Sequence, residues 1–418
     1  MLALFFMTVQ YAADTLQTKA MNMEMNPVLE NLPDYPFDRL RQLLSGISPA
    51  TDAAPLVLSI GEPQHAPPVI LQQTVEENSH LWGKYPPIDG TPEFRNAVVN
   101  WLNRRYGLKN LLDADANVLP VIGTREALYL ITTVAVSENS DGSKPIVVMP
   151  NPLYHVYGAA AAVSGAEPLY LTATAENNFM TDISALDDNT LSRVKLFYLC
   201  SPSNPAGMIA PMEMLKTAIR LARKHGFLLV ADECYQDIYG DKKPPGILEA
   251  CQELGGGLEN VLTFQSLSKR SSAPGLRSGF VAGDGEIIKT FKRLRNYIGP
   301  QMPLPLMAAA TRLWLDDDHV RENRKMYRDK IDLAEKILSP KCDFIRPEAG
   351  FFLWLNVGNG EKVCRKLWSE CALRVLPGAY ISKADENGIN PGDQYIRVAL
   401  VHDLATTDEA LSRLVKVL

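Results

Sequence analysis

Six short apolar runs in the middle of the chain, five of them followed at once by a polar cluster, constrain the fold more than any other feature. The runs are Val118 to Ile122, Ile146 to Met149, Leu196 to Leu199, Leu228 to Ala231, Val261 to Phe264 and Phe280 to Ala282. Helix-like segments such as Glu126 to Val136 and Met212 to His225 separate them. Strands too apolar to keep a wet face, alternating with helices, predict a mostly parallel sheet covered on both sides, the α/β class. The chain has 418 residues, 46% of them hydrophobic, which is more than one core's worth of material.

Beyond Pro305 the pattern changes. Charged amphipathic stretches, Ala308 to Asp316 and Val320 to Leu338, precede strand-like runs at Phe351 to Asn356 and Tyr395 to Leu400, which suits a smaller α+β lobe. The expected division is a large domain over 67–304, a small domain over 305–418, and an arm over 25–66 that joins the small one. Residues 1–24 are expected to be a leader or an over-long start. Their opening, MLALFFMTVQYAADT, has the apolarity of a signal core but no basic residues ahead of it and too short a run to span a bilayer.

A formal net charge of -6 gives no general affinity for nucleic acid or anionic lipid, so small-molecule chemistry is the expectation. The six cysteines, at 200, 234, 251, 342, 364 and 371, include no C-x-x-C pair, which argues for reduced structural thiols in a cytoplasmic protein and against a metal site.

In open parallel sheets, ligands bind beyond the carboxyl ends of the strands, where loops and helix N-termini converge. Gly123-Thr124-Arg125 follows the first run, Pro150 to Tyr154 the second, Ser201 to Pro205 the third, Asp232 to Tyr235 the fourth, and Ser266 to Lys269 the fifth. Each cluster alone reads as a turn, a cap or a solvated loop. Together they bring one lysine, one carboxylate, several hydroxyls and an aromatic to one rim. Ser266, Ser268, Arg277 and the N–H groups opening the helix after Thr124 form a site for a phosphate dianion. With neither a P-loop nor a G-x-G-x-x-G sequence, a nucleotide is not the obvious owner of that phosphate. A lysine in the same cluster points to a phosphate-bearing aldehyde, and pyridoxal phosphate fits.

VIGTREAL, CSPSNPAG, ADECYQDIY and SLSKRSSAPGLRSGF, four motifs that occur in the family's order, resemble the class I/II aminotransferases of the fold type I pyridoxal-phosphate enzymes, from about Met25 to the C-terminus. The resemblance implies a large domain with a mostly parallel seven-stranded sheet between helices, plus a smaller α+β domain. MNPVLENLPDYPFDRLRQLL, KYPPIDGTPEFRNAV, HVRENRKMYRDK and ISKADENGINPGDQYIRVALV are similar to the proteobacterial N-succinyl-diaminopimelate aminotransferases of lysine and cell-wall precursor synthesis. That likeness implies interconversion of N-succinyl-LL-2,6-diaminopimelate plus 2-oxoglutarate with N-succinyl-2-amino-6-oxopimelate plus L-glutamate.

By the same resemblance, Lys269 would bind the cofactor's aldehyde and then move a proton, and Asp232 would pair with the pyridinium N–H. Asn204 and Tyr235 would hydrogen-bond the ring's O3′ and Tyr154 would stack on the ring. Ser266, Ser268, Arg277 and the backbone of Gly123, Thr124 and Arg125 would seat the phosphate. Tyr85 would reach that phosphate across the interface of a homodimer. Arg397 would take the substrate's α-carboxylate, with Asn204 beside it and the Gly61 backbone close by. Arg270, next to the lysine, is a candidate for a distal carboxylate or for a structural ion pair.

Two stretches depart from the family pattern: Asn204-Pro205-Ala206-Gly207 where Asn-Pro-Thr-Gly is usual, and NYIGPQMPLPLMAA in the region where a substrate's far end or a partner subunit would pass. The rival readings are an aspartate, aromatic or N-acetylornithine aminotransferase, a pyridoxal-phosphate β-lyase or decarboxylase, and a DNA-binding regulator, which some 24 leading residues are too few to supply.

Overall fold

Strand registration, more than helix packing, sets this architecture. The computed structural model describes residues 23, 25–32, 34–50 and 52–418; apart from Met23, the expected leader lies outside them. The strands are β1 (Leu56–Val57), β2 (Val118–Val121), β3 (Ile146–Asn151), β4 (Glu167–Thr172), β5 (Val194–Cys200), β6 (Leu228–Asp232), β7 (Val261–Ser266), β8 (Gly279–Gly283), β9 (Phe352–Asn356), β10 (Leu373–Arg374), β11 (Leu376–Pro377) and β12 (Tyr395–Ala399). The main sheet has seven strands in the order β2-β8-β7-β6-β5-β3-β4. From β7 through β6, β5 and β3 to β4 every pair is parallel, and β8 runs against both β2 and β7.

The six apolar runs all lie on strands of this sheet, and the seventh strand is β4. Its sequence, EPLYLT, has one sheet neighbour and no fully buried residue, so it lacks the unbroken apolar signature of the central strands. Phe94, Trp101, Ile219, Phe280 and Trp314 pack on one face of the sheet. Leu128, Ile131, Tyr157, Tyr198 and Phe291 pack on the other. The helix Met212–His225 forms where its pattern predicts, and ends at Gly226 in the left-handed conformation with Arg223, Lys224 and His225 facing the negative end of its dipole. The helix expected at Glu126 begins two residues earlier, at Thr124, because Gly123 turns into it with φ +65°.

The helix Leu304–Leu315 corrects one expectation. Although it follows the expected boundary at 305, it buries Met307, Ala310, Leu313 and Trp314 in the same core as Phe94 and Phe280. Its apolar face decides where it packs, and the exposed Arg312 solvates its outer side. The small lobe starts beyond it, with the helix Asp318–Leu338. There β11, β12 and β9 form an antiparallel sheet, and β1 pairs in parallel with β10. Leu58 from the N-terminal arm shares a core with Leu353, Ile396 and Leu411.

Both lobes meet at the carboxyl ends of the parallel strands. The amide of Asn151 at the end of β3 donates to Lys383 O at 2.8 Å, its carbonyl accepts from Lys383 N–H at 2.9 Å, and Leu153 N–H donates to Ile381 O at 2.8 Å. The interdigitated rings of Trp101, Phe280 and Trp314, 4.9 to 6.0 Å apart, carry the large lobe's packing. Phe280→Ala should therefore cost about 3–5 kcal/mol in a urea unfolding experiment, with the slope of the transition unchanged.

Candidate active site

A cavity of about 410 Å³ opens where the carboxyl ends of the large sheet face β12. The parallel register explains why chemistry collects there: Cys200 of β5 lies beside Asp232 of β6, which lies beside Phe264 of β7. Gly61, Thr124, Arg125, Tyr154, Asn204, Asp232, Tyr235, Lys269 and Arg397 all line the cavity.

Lys269 sits in the single turn Leu267–Arg270, whose first N–H groups are capped by Ser266; the Ser266 hydroxyl accepts from Ser268 N–H at 3.1 Å. Its ammonium donates to Gly61 O and lies 5.5 Å from the centre of the Phe351 ring. Burial lowers its pKa to about 8, and the positive Arg397 and Arg125 push the same way. Gly61 cannot be larger here, since a Cβ would stand 2.5 Å from Phe352 Cζ.

Asp232 is 6% exposed and is raised in pKa by burial, while the Tyr157 hydroxyl, donating to Oδ2 at 2.6 Å, holds it down. Tyr157 stacks on Tyr198, with ring centres 4.3 Å apart and planes 12° from parallel. A carboxylate at the floor of a cavity, oriented by one phenol and with no cation bonded to it among the described residues, suits a cationic ring N–H.

On the opposite wall, Arg397 Nη1 donates to Asn204 Oδ1 at 3.1 Å and Nη2 to Ser59 O at 2.8 Å. Its Nε is buried with no partner among the described residues, and burial lowers its pKa to about 10. Such a guanidinium, packed 4.4 Å over the Phe352 ring, is built for an anion that the protein does not itself provide.

The expected phosphate groups stand behind the rim. Ser266 Oγ lies 2.9 Å from Ser268 Oγ and 3.2 Å from Ser278 O, sharing its one proton between them. Arg277, in the left-handed region at φ 53°, donates to Pro274 O at 2.8 Å and to Ile122 O at 3.3 Å, and a Cβ on Gly123 would collide with its guanidinium. An arginine laid against Gly123, at the start of the 12-residue helix Thr124–Ala135, fits a phosphate. Tyr85 is 101% exposed and lines no part of this cavity.

Arg270 is not in the cavity. It is 3% exposed, pairs with Asp237 at 3.1 Å and Asp317 at 2.8 Å, and lies 5.4 and 5.2 Å from the rings of Trp101 and Trp314. Of its two expected roles the structural ion pair is the one present. Sequence reasoning missed Tyr157, His155 and Tyr35. Tyr157 was accessible as the residue one helical turn beyond Tyr154, whereas Tyr35 arrives from far away in the chain and carried no signal.

His155 rounds off the cavity beside Tyr154, with the Tyr35 ring edge-on at 5.1 Å. Burial and the nearby Arg125 and Arg397 depress its pKa to about 4. The unfolded chain takes up this proton near pH 6.5 and the folded one only near 4, so its contribution to stability is complete above 6.5 and is lost as pH falls towards 4. Between pH 7 and 4.5, His155→Gln should show a smaller fall in melting temperature than the parent; an equal fall would refute this assignment.

Comparison with known proteins gives the family and the fold. Residues 54–414 match the family model for aminotransferase class I and II. The chain is similar to the crystal structure of an aminotransferase from Neisseria meningitidis, with 40% identity, a TM-score of 0.89, and 94% of this chain and 99% of that one covered. It is 31% identical to a probable aminotransferase of Mycobacterium tuberculosis over 92% of this chain and 85% of that protein. It is 29% identical to the LL-diaminopimelate aminotransferase of Desulforudis audaxviator, covering 92% and 96% respectively.

Proposed function

The chain belongs to the class I and II aminotransferases, which use pyridoxal phosphate to exchange amino groups between amino acids and 2-oxo acids, and from that premise we propose that its substrates are dicarboxylic. Specifically, it moves an amino group between L-glutamate and N-succinyl-2-amino-6-oxopimelate, giving N-succinyl-LL-2,6-diaminopimelate and 2-oxoglutarate. The observation that carries this reading is a cavity with three cations. Lys269, Arg397 and Arg125 all line it, and none is in an ion pair with a carboxylate among the described residues.

Pyridoxal phosphate, when bound, supplies an aldehyde for the lysine and a ring that accepts electrons from the substrate's Cα. Asp232, held by Tyr157, keeps the proton at the ring nitrogen. Lys269, brought to about 8 by burial, gives up and takes back a proton at the substrate's Cα far more readily than a lysine in water. Arg397 binds the α-carboxylate, and its bond to Asn204 fixes the plane of that fork. Gly61 and Phe352 close the cavity beside the lysine and keep water from it.

Arg125 remains for the distal carboxylate, the role once open to Arg270. The Tyr154 hydroxyl accepts from its Nε at 2.9 Å, and Tyr35 adds a second phenol beside it. The LL-diaminopimelate aminotransferase named above acts on the unsuccinylated form of the same carbon chain, which supports this substrate class. An aromatic-type aminotransferase is the second reading, favoured by the wall of Tyr35, Phe37 and Ile60.

A homodimer is part of the proposal. Trp82, Tyr85 and Tyr297 are 54%, 101% and 84% exposed, aromatic surface of the kind a two-fold partner covers. A cytoplasmic setting is supported by six unpaired cysteines, and no helix among the described residues is long and apolar enough to cross a membrane.

The test is the visible absorbance of the protein loaded with pyridoxal phosphate, followed as single amino donors are added. L-Glutamate and N-succinyl-LL-diaminopimelate should each bleach the band, and Lys269→Ala should abolish turnover without unfolding the protein. Bleaching by aromatic amino acids alone would move the assignment to the second reading. Arg125→Ala should raise KM for glutamate by about 10- to 100-fold, the worth of one charged hydrogen bond, and leave that for alanine within a factor of about two.

A further inference from the structure

The stretch HVRENRKMYRDK contributes nothing to the cavity, yet it puts polar side chains in the interior. His319, Asn323, Tyr327 and Lys330 form one stripe of the helix Asp318–Leu338 and are 9%, 4%, 1% and 1% exposed. Such a stripe is ordinarily apolar, and a lysine buried in it requires partners.

Donors and acceptors along this stripe run in one direction. Lys330 Nζ donates to Leu400 O at 2.6 Å and His402 O at 2.8 Å, and its third neighbour is His65 Nε2 at 2.9 Å. Burial lowers the pKa of Lys330 to about 7; below that it is an ammonium with three protons and no lone pair, so Nε2 accepts and the imidazole proton sits on Nδ1, 3.2 Å from Asn323 Oδ1. The Ser272 hydroxyl donates to the same oxygen at 2.9 Å. Asn323 is thereby oriented with its nitrogen outward, donating to Lys269 O at 3.0 Å and Arg270 O at 3.1 Å.

A second path runs through rings. Lys330 Nζ lies 4.2 Å from the centre of Tyr327, Tyr327 stacks on Phe351 at 4.9 Å, and Lys269 Nζ faces that same Phe351. Beside it, Ser271, His319 and Asp316 have the spacing of a nucleophilic triad, at 2.8 and 2.7 Å, but Ser271 is 1% exposed. The three residues line a separate cavity of about 310 Å³, away from Lys269, and the Ser271 hydroxyl is spent on His319.

Resting on the reading of Lys269 as the reacting amine, we propose that Asn323 is a positioning residue which, oriented by Lys330 through His65, fixes the backbone of Lys269 and so the place of its Nζ in the cavity. Leu400 and His402 directly follow β12, so the same ammonium ties the strand of Arg397 to the lysine that Arg397 faces.

The pH dependence of Lys269 acetylation by acetic anhydride in the cofactor-free protein, read by peptide mass spectrometry, tests this without reliance on turnover. Cys234, Arg397, Glu62 and Arg125 surround that amine and are left unchanged. Asn323→Ala should free the segment to water and raise the amine's pKa from about 8 by about half a unit or more, with kcat for glutamate down about tenfold and KM within twofold. An unchanged profile in folded Asn323→Ala overturns the proposal even if its melting temperature drops, since a merely structural residue would lower stability alone. Should that variant fail to fold, His65→Phe keeps a ring against Tyr327, 4.7 Å away, and removes the link to Asn323. A raised Lys269 pKa in it supports the proposal, and an unmoved one refutes it. A parent protein that forms no visible band with pyridoxal phosphate defeats the functional reading instead, and the acetylation profile still decides the role of Asn323.

Discussion

The parallel register that lines up Cys200, Asp232 and Phe264 is the constraint on which everything functional depends. Three neighbouring strands end together, so the segments that follow them leave the sheet on one side and at one level. Asp232, Asn204 and Lys269 are delivered to a common cavity without any of them having to reach far. A slip of one residue in β6 would turn Asp232 to the other face of the sheet and take it from Tyr157. The fixed backbone is what makes the carboxylate's burial useful.

A second feature is the way charge is left uncompensated where chemistry needs it and compensated everywhere else. Arg270, one residue from Lys269, is enclosed by Asp237, Asp317 and two tryptophan rings, while Arg105 shares Asp237 at 3.1 Å. Arg397, as deeply buried, has a carbonyl and an amide as its partners. The contrast separates a structural arginine from one that waits for a ligand. It also locates the energetic burden of the site: a guanidinium and an amine held in a low-dielectric cavity destabilise the empty protein, and a bound carboxylate relieves that burden.

Much of this was legible from sequence because the central strands are apolar on both faces and each ends in a residue type with its own chemistry. Lys269 and Asp232 could be picked out for that reason, whereas Asn204 and Arg397 were assigned by the family resemblance, Arg397 lying within β12 of the small lobe. The expectation for Arg270 failed in one of its two forms because sequence adjacency to the lysine says nothing about direction; in a single helical turn, neighbouring side chains point apart. Leu304–Leu315 was misassigned because charge on its outer face was given more weight than its apolar stripe. Tyr35 and His65 were invisible for another reason. Tyr35 reaches the cavity mouth and His65 the helix Asp318–Leu338 from the N-terminal arm, and nothing local in their sequence marks the long-range contacts that make them matter.

The pairing of β1 with β10 has a bearing on how the protein comes into being. Leu56 meets Leu373, a partner more than three hundred residues later in the chain. The seven-stranded sheet is complete once β8 has emerged, at Gly283, and can form while the remainder is still being synthesised. The small lobe has no such option, because its first strand must wait for nearly the whole chain and must close a loop of more than three hundred residues. The strand that waits longest for its partner thus lies four residues from Gly61, whose carbonyl accepts from the lysine.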